Sequence, residues 1–504
     1  MMLFLDNLAR NRRERGRHPY LVHEGRTVSF EEFDRLTNRA ANALRALGVE
    51  KGDRVTLALG NSVEWLVAAF GTLKAGAVLN PVNAQLGAGE LSYVIGHAEP
   101  RVLLTAAGAT GNVTSPEMTR PRATRLASFG DVPGAERFDE LMAASTDDEV
   151  PVRVGTGDGS TLLYTSGTTG KPKGVLFTHD RTGGSSEFFV TGMRIGPDDT
   201  ILTVGPLFHG NAWSGAATAQ QAGCTFAFPR AFSASEFWPL AHATGASAFF
   251  TLGTILAILL AQEPSELERT HRIRVVLGLG SAPIRDKVKE RFRIPHIVEC
   301  FGSTDAGVVT LEPLDAKPRP GSAGPPLAGV KVHILDDDGR ELGPRETGEI
   351  AVESPYRMAA YFRDEEQTRK ALHGDWFLTG DLGWLDEDGW LYFVDRKRDV
   401  IRRGGENISS VLVEKALREH PQVADVAVVG VHHAVLGQEV KAFVVARGEV
   451  SSDELRAFAA ARLAKFQVPT QWEFRDALPK TPTQRVEKYK LRGDPPGGGR
   501  PLLG

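Results

Sequence analysis

A chain of 504 residues exceeds what one hydrophobic core organises, so two or more domains are expected. Composition is that of a folded globular protein, 41% hydrophobic and 24% charged, and a formal net charge of -4 with both signs interspersed speaks against nucleic acid or an anionic membrane as partner. Two cysteines, Cys224 and Cys300, are too few for a disulfide framework, and no Cys/His cluster has zinc-site spacing; both read as small buried residues in a reducing compartment.

At the start, Met1 to Leu5 is too short an apolar run for a secretory segment, which points to a cytoplasmic protein. An amphipathic helix is predicted from near Phe30 to Leu44–Gly48, followed by a strand over Arg54–Leu59, a helix over Ser62–Ala75 and a strand starting at Val78-Leu79. Strands alternating with helices of about ten to fifteen residues predict a layered α/β sheet with parallel pairing. Ala106–Pro121 is small, polar and Pro-bearing, and reads as a surface loop. The uncharged run Ala246–Ala261 falls short of the roughly 20 apolar residues of a membrane span and predicts a buried helix. Pro313–Gly329 is rich in Pro and Gly and leads into short strands over Lys331–Val394, with turn signals at Asp338-Gly339 and Asp388-Gly389, a pattern consistent with a β-barrel-like subdomain. After Asp395 come a helix over Ser410–Glu419, strands over Val423–Val431 and Glu439–Val445, and a helix over Ser452–Lys465. These describe a compact α+β domain of about 100 residues. The expected division is a large N-terminal domain of layered α/β sheets over 1–395, carrying the β-barrel-like subdomain, and a small C-terminal domain over 396–504 with a Pro/Gly-rich end.

The densest chemical signal is the stretch from Tyr164 to Val175. Thr165, Ser166, Gly167, Thr168, Thr169, Gly170 and Lys171 offer backbone N–H groups, hydroxyls and an ammonium that can surround phosphate oxygens. It is not a Walker A loop, because Thr165 replaces the first glycine and Pro172 follows Lys171. The plain alternative is a flexible surface turn. Asp381 after Gly380 can accept hydrogen bonds from two vicinal hydroxyls, although such a residue alone is more often a turn or cap. Arg396 offers a planar fork for ribose or phosphate oxygens, and an isolated Arg after a strand is otherwise a solvated charge. His209, alone, reads as a satisfied core histidine. Gly278 and Gly280 match a dinucleotide fingerprint only weakly, because Pro283 occupies the third glycine's place. No G-x-S-x-G elbow suggests a hydrolase.

The Tyr164–Val175 stretch resembles the phosphate loop of the adenylate-forming superfamily: acyl-CoA synthetases, peptide-synthetase adenylation domains and luciferases. Further matches follow in order. Pro206-Leu-Phe-His209 resembles the aromatic-His segment beside the acyl pocket. Gly280, Ser281, Ala282 and Pro283 resemble the loop that contacts adenine. Phe301, Gly302, Ser303, Thr304 and Asp305 resemble the segment whose ring lies on adenine and whose Thr meets the α-phosphate. Thr379-Gly-Asp381-Leu with Asp395-Arg396 resembles the ribose-binding pair, and Gly404-Gly405-Glu-Asn-Ile408 the loop that turns toward the thiol. The segments Pro206–Asn211, Arg230–Trp238 and Thr481–Lys488 most resemble carnitine-CoA ligase-like acyl-CoA synthetases.

The resemblance implies ATP-dependent formation of an acyl-adenylate with release of pyrophosphate, then transfer to CoA. Mg²⁺ would bridge phosphates and protein, with Thr165 and Asp305 as its residues. Catalysis would be positioning plus charge neutralisation, with His209 and Thr304 at the site and no nucleophilic side chain. A hinge is implied near Arg398, within Asp395-Arg-Lys-Arg-Asp399. Trp213, Phe250 and Gly253 are candidates for the acyl pocket or for plain core. A small carboxylic acid and CoA are the expected partners, and the sequence leaves a homodimer open.

Two departures fall on charged positions. The family's metal-associated Glu is Asp305 here, one methylene shorter. The family's Gly-Lys pair, whose lysine stabilises the adenylation transition state, is Gln484-Arg485. Arg485 keeps the charge in a planar, bulkier form and stands first as the replacement, with Lys488 and Lys480 as alternatives. Such a change also admits a ligase of the same fold that uses an amine or nitrite, or a weakly active nucleotide- or acyl-binding homologue.

Overall fold

The computed structural model describes residues 4–108, 112–165, 172–182, 184, 186–317, 319–404, 406–433, 435–481, 484 and 486–492. Among these the chain forms two compact units, one drawn from 4–317 and 354–370, the other from 319–353 and 371–492.

The first unit carries two mostly parallel sheets. One runs, in spatial order, through Ala360–Tyr361, Lys173–Thr178, Gly159–Thr165, Val78–Pro81, Arg54–Leu57, Val102–Ala106, Arg125–Phe129 and Glu136–Arg137. It is parallel except at the end where Lys173–Thr178 pairs antiparallel with both of its neighbours. The other runs through His296–Val298, Val275–Leu279, Ala248–Leu252, Thr200–Thr203, Thr225–Ala227, Pro19–His23 and Arg26–Ser29, antiparallel only in its last pair. The expected layered, parallel α/β architecture is therefore what forms.

Local chemistry sets the helices. Phe30–Ala46 begins where the Ser29 hydroxyl accepts the Glu32 N–H (3.1 Å), and Val63–Lys74 where Ser62 accepts the Trp65 N–H (3.1 Å). These two helices touch so closely that a Cβ on Gly71 would lie 2.6 Å from that of Ala40, so only glycine fits there.

One expectation fails. The apolar run Ala246–Ala261 is a buried strand, Ala248–Leu252, followed by a helix, Gly253–Leu260. A strand in the middle of a parallel sheet is apolar on both faces, so it shows no alternation and reads like buried helix. Phe249 and Phe250 are wholly buried on it, and burial of each contributes about 1.5–3 kcal/mol.

The second unit holds an antiparallel sheet of Lys331–Leu335, Gly348–Glu353, Trp376–Leu385 and Leu372–His373, with Leu391–Arg396 paired to Trp376–Leu385. A second sheet joins Glu406–Ile408, Ile401–Arg403, Gly437–Ala446 and Val423–His433, with Gln471–Phe474 parallel to Gly437–Ala446. Helices Ser410–Arg418 and Ser452–Ala460 bury Val413, Leu417, Leu455 and Ala459 against Val426, Val428, Val440 and Val444. The second of these stops at Ala460, short of the expected Lys465. Both cysteines are buried and free. No helix among the described residues is long and apolar enough to cross a membrane.

Candidate active site

In the first unit the phosphate-loop stretch is a hairpin whose last register pair is Thr165 with Lys173. The connecting Ser166, Gly167, Thr168, Thr169, Gly170 and Lys171 lie outside the described residues. The two feet of the hairpin are held from one helix, Ala88–Ala98. His97 Nδ1 meets the Tyr164 hydroxyl at 2.8 Å, and one turn earlier the Tyr93 hydroxyl donates to the Pro172 carbonyl at 3.2 Å. The Tyr93 and His97 rings stack, with centroids 6.1 Å apart. Lys173 donates to Gln367 (3.0 Å) and sits 4.7 Å above the Tyr361 ring. Burial lowers its pKa, against the opposing charges of Asp305 and Asp364.

The strand Val275–Leu279 ends in Gly280, whose φ of +76° is the left-handed region glycine favours, and Ala282–Ile284 forms a 3₁₀ turn before the helix Arg285–Phe292. Glu299 accepts the Gly280 N–H (3.0 Å) and the Ser281 hydroxyl. Gly253 lies against this turn: a Cβ there would be 2.3 Å from the Gly280 carbonyl oxygen. Its role is to let two backbones meet.

Phe301, Gly302 and Ser303 lie on the strand Cys300–Ser303, antiparallel to Gly307–Leu311. Phe301 is buried, its N–H donates to Thr310 Oγ1 (3.0 Å), and the Ser303 hydroxyl accepts the Ala306 N–H (3.0 Å) across the turn that carries Thr304 and Asp305. Asp305 Oδ2 accepts the Tyr361 hydroxyl at 2.7 Å. This phenol is pushed well above its usual pKa by burial and then by the Asp305 charge, so it remains a donor. The Asp305 carboxylate, held from behind by a hydroxyl donor, is an oxygen ligand of the type a hard cation takes.

His209 caps the helix Gly210–Ala222, its Nδ1 accepting the Asn211 N–H at 3.4 Å. Burial pushes its pKa down to about 4, so the ring is neutral at pH 7, with Nε2 left as the protonated, donating nitrogen. Trp213 packs edge-on against Trp65 (5.7 Å), and Phe250 edge-on against Phe189 (5.5 Å). For Phe250, wholly buried in its strand, the core reading holds.

In the second unit Asp381 and Arg396 are direct register partners on neighbouring strands, with Arg396 Nε 3.6 Å from Asp381 Oδ1. Asp381 is buried, and its N–H is bonded to Thr379 Oγ1 (3.1 Å). Asp395 Oδ2 accepts the Ser410 N–H (2.6 Å) and hydroxyl (2.7 Å), capping the next helix. Gly404, at φ +58°, donates its N–H to the Leu436 carbonyl (2.9 Å); Gly405 lies outside the described residues. Arg485 does too. Lys488 is committed elsewhere: its Nζ lies 2.7 Å from Glu414 and 2.6 Å from Ser410 Oγ, with the side chain 12% exposed. Lys480 pairs with Asp425 at 2.6 Å.

Residues 8–362 match the AMP-binding enzyme family, and residues 412–485 match the AMP-binding enzyme C-terminal domain. The chain belongs to this family. It is 33% identical over 489 residues to a crotonobetaine/carnitine–CoA ligase of Salmonella paratyphi A, covering 93% of each chain. Its fold is similar to that of ATP-bound MatB from Rhodopseudomonas palustris (TM-score 0.87, 27% identity, 98% and 99% of the two chains). It is likewise similar to the o-succinylbenzoate CoA synthetase of Bacillus subtilis solved with its acyl-adenylate intermediate (TM-score 0.85, 28% identity, 96% and 97%). Family membership agrees with the ordered motifs. Glu299, Tyr361, Tyr93 and His97 lie outside the motifs read from the sequence; the one sequence signal for Glu299 is a lone carboxylate in the apolar run Ile297-Val-Glu-Cys-Phe301.

Proposed function

We propose that this family member is an AMP-forming acid–thiol ligase. A carboxylate oxygen of the acid attacks the α-phosphorus of ATP and pyrophosphate leaves; the CoA sulfur then attacks the acyl carbon, losing its proton, and AMP leaves. The observation that carries this reading is the full-length relation to CoA ligases, joined to the packing of Asp381 beside Arg396. No side chain becomes covalently bonded, so the protein's part is to position and to neutralise charge.

The roles assigned residue by residue are part of the proposal. Gly280–Pro283 and Phe301 take adenine, Asp381 and Arg396 the ribose, Thr304 the α-phosphate, and the 165–171 loop the β- and γ-phosphates. His209, neutral, presents an Nε2–H donor beside the acyl group. Asp305 and Thr165 would hold Mg²⁺, which when bound offsets phosphate charge; Tyr361 fixes the shorter Asp305 carboxylate from behind. With Lys488 and Lys480 both ion-paired inside their own unit, Arg485 takes the place of the adenylation lysine. A hinge near Arg398 lets the small domain over 396–504 turn between the two half-reactions. The enzyme works in the cytoplasm on a small carboxylic acid, without nucleic acid or membrane partner.

Pyrophosphate release from ATP and Mg²⁺ tests this over a panel headed by crotonobetaine and carnitine and extended to small aliphatic and aromatic acids, with and without CoA. One acid is expected to give release that is sustained only when CoA is present. Release by no acid under either condition overturns the ligase reading.

A further inference from the structure

We infer that Glu299 is a positioning residue of the nucleotide site, its carboxylate holding the Gly280–Ser281 turn in register with Phe301. The inference rests on the assignment of these two segments to adenine. Glu299 lies between the strands His296–Val298 and Cys300–Ser303 and is 3% exposed. Its side chain receives the Gly280 N–H at 3.0 Å and the Ser281 hydroxyl. Its backbone is tied to Glu312 in both directions: its N–H donates to Glu312 Oε2 (3.2 Å), and its carbonyl accepts the Glu312 N–H (2.9 Å). Glu312 in turn grips Arg285 through two bonds of 2.9 and 2.6 Å, a bidentate pairing of fixed geometry. Arg285 opens the helix that follows the Gly280–Pro283 turn. The contacts close a ring from the turn through Arg285, Glu312 and Glu299 back to the turn, with Phe301 two residues from its anchor.

The ring holds two carboxylates and one guanidinium, all buried. The charged and titratable groups facing Glu299 are Arg285 and Glu312 from the neighbouring elements, and Cys300, whose thiol burial keeps protonated. Burial pushes the Glu299 carboxyl up to about 7, against the bonds from Ser281 and Gly280 and the Arg285 charge, which pull it down. Protonation turns one oxygen from acceptor to donor, so the Ser281 hydroxyl must rotate and the charge-assisted bond is lost. The turn is thus held firmly above about pH 7 and loosened below it.

The test is ATP affinity of the full chain by calorimetry in Mg²⁺ buffer at pH 6 and pH 8, for the wild type and Glu299→Gln. A carboxyl titrating at about 7 predicts wild-type affinity about tenfold weaker at pH 6 than at pH 8. Glu299→Gln is expected to bind at pH 8 about as weakly as the wild type does at pH 6, with no change between the two pH values beyond that of ATP ionisation. Ionisation of ATP itself is common to both proteins and cancels in their ratio. Ser281→Ala, which removes one donor and leaves the carboxyl in place, should steepen the loss at pH 6; it serves as the readout should Glu299→Gln fail to fold. Equal pH dependence in wild type and Glu299→Gln, or none in the wild type, overturns the inference. ATP binding with this pH dependence but no pyrophosphate from any acid overturns the ligase reading alone, and absence of ATP binding at both pH values overturns both.

Discussion

Two turns of the molecule take the same backbone conformation with opposite residues. Gly280 ends a parallel strand at φ +76°, and Gln484 sits in the C-terminal motif at φ +63°. Glycine enters this region without steric penalty, whereas glutamine places its Cβ against the following carbonyl. At Gly280 a buried ring of hydrogen bonds fixes the turn from outside; Gln484 donates its own N–H to the Thr481 carbonyl (2.8 Å). Gln484 stands where the motif described above has glycine, and it adopts a positive φ of the kind glycine favours.

The largest expected effect comes from separating charge at Arg485 from structure at Lys488. Arg485→Ala should lower the pyrophosphate-forming rate by about 10²–10³-fold with little change in thermal stability, the scale of losing one preorganised group at developing charge. Lys488→Ala removes one of the two cations paired with Glu414, a carboxylate 7% exposed that keeps Arg418 at 3.2 Å. It should cost about 1–2 kcal/mol of stability in denaturant melts, because a mostly buried ion pair and the bond to Ser410 are lost while Arg418 still neutralises Glu414. If Lys488→Ala instead abolishes adenylation in a protein of normal stability, Lys488 is the catalytic cation and the assignment to Arg485 falls.

Much of this was legible in the sequence for identifiable reasons. The helices at Phe30 and Val63 announced themselves through their apolar period, and the structure adds Ser29 and Ser62 as their N-caps. The segments proposed for the nucleotide were legible through their resemblance to family motifs built of Gly, Ser, Thr, Asp and Arg, residue types suited to phosphate and ribose. Ala248–Leu252 was not, since a strand buried on both faces carries no alternation. Nor were the supports of the site. His97 and Tyr164 are 67 positions apart, Glu299 and Ser281 18, and Tyr361 and Asp305 56, so each pairing exists only after the sheets have formed.

His209 provides the next contrast, being a turn residue that is neither glycine nor strained but is held neutral by burial. Its pKa falls from 6.5 in the unfolded chain to about 4 in the fold. Between these values the unfolded chain binds more protons, so stability rises with pH through this window and is lost as pH falls from about 6.5 to 4. The contribution amounts to at most about 3 kcal/mol. His209→Asn keeps a side-chain cap for the helix and should flatten that part of the stability–pH curve in urea melts at pH 4.5 and 7. An unchanged difference between the two pH values would show that His209 does not titrate in this way.

The smallest effect returns to Gln484. A non-glycine residue at φ +63° costs on the order of 1 kcal/mol, so Gln484→Gly removes that cost in the folded state. Glycine also widens the unfolded ensemble, which offsets part of the gain by a fraction of a kcal/mol. A net stabilisation of about 0.5 kcal/mol in urea melts is expected, with the rate of pyrophosphate formation unchanged as long as Arg485 is retained. A stabilised protein with a lower rate would mean that glutamine's side chain, and not only the path of its backbone, helps to place Arg485. A destabilised protein would mean that the Gln484 side chain contributes more to the turn than its backbone strain takes away.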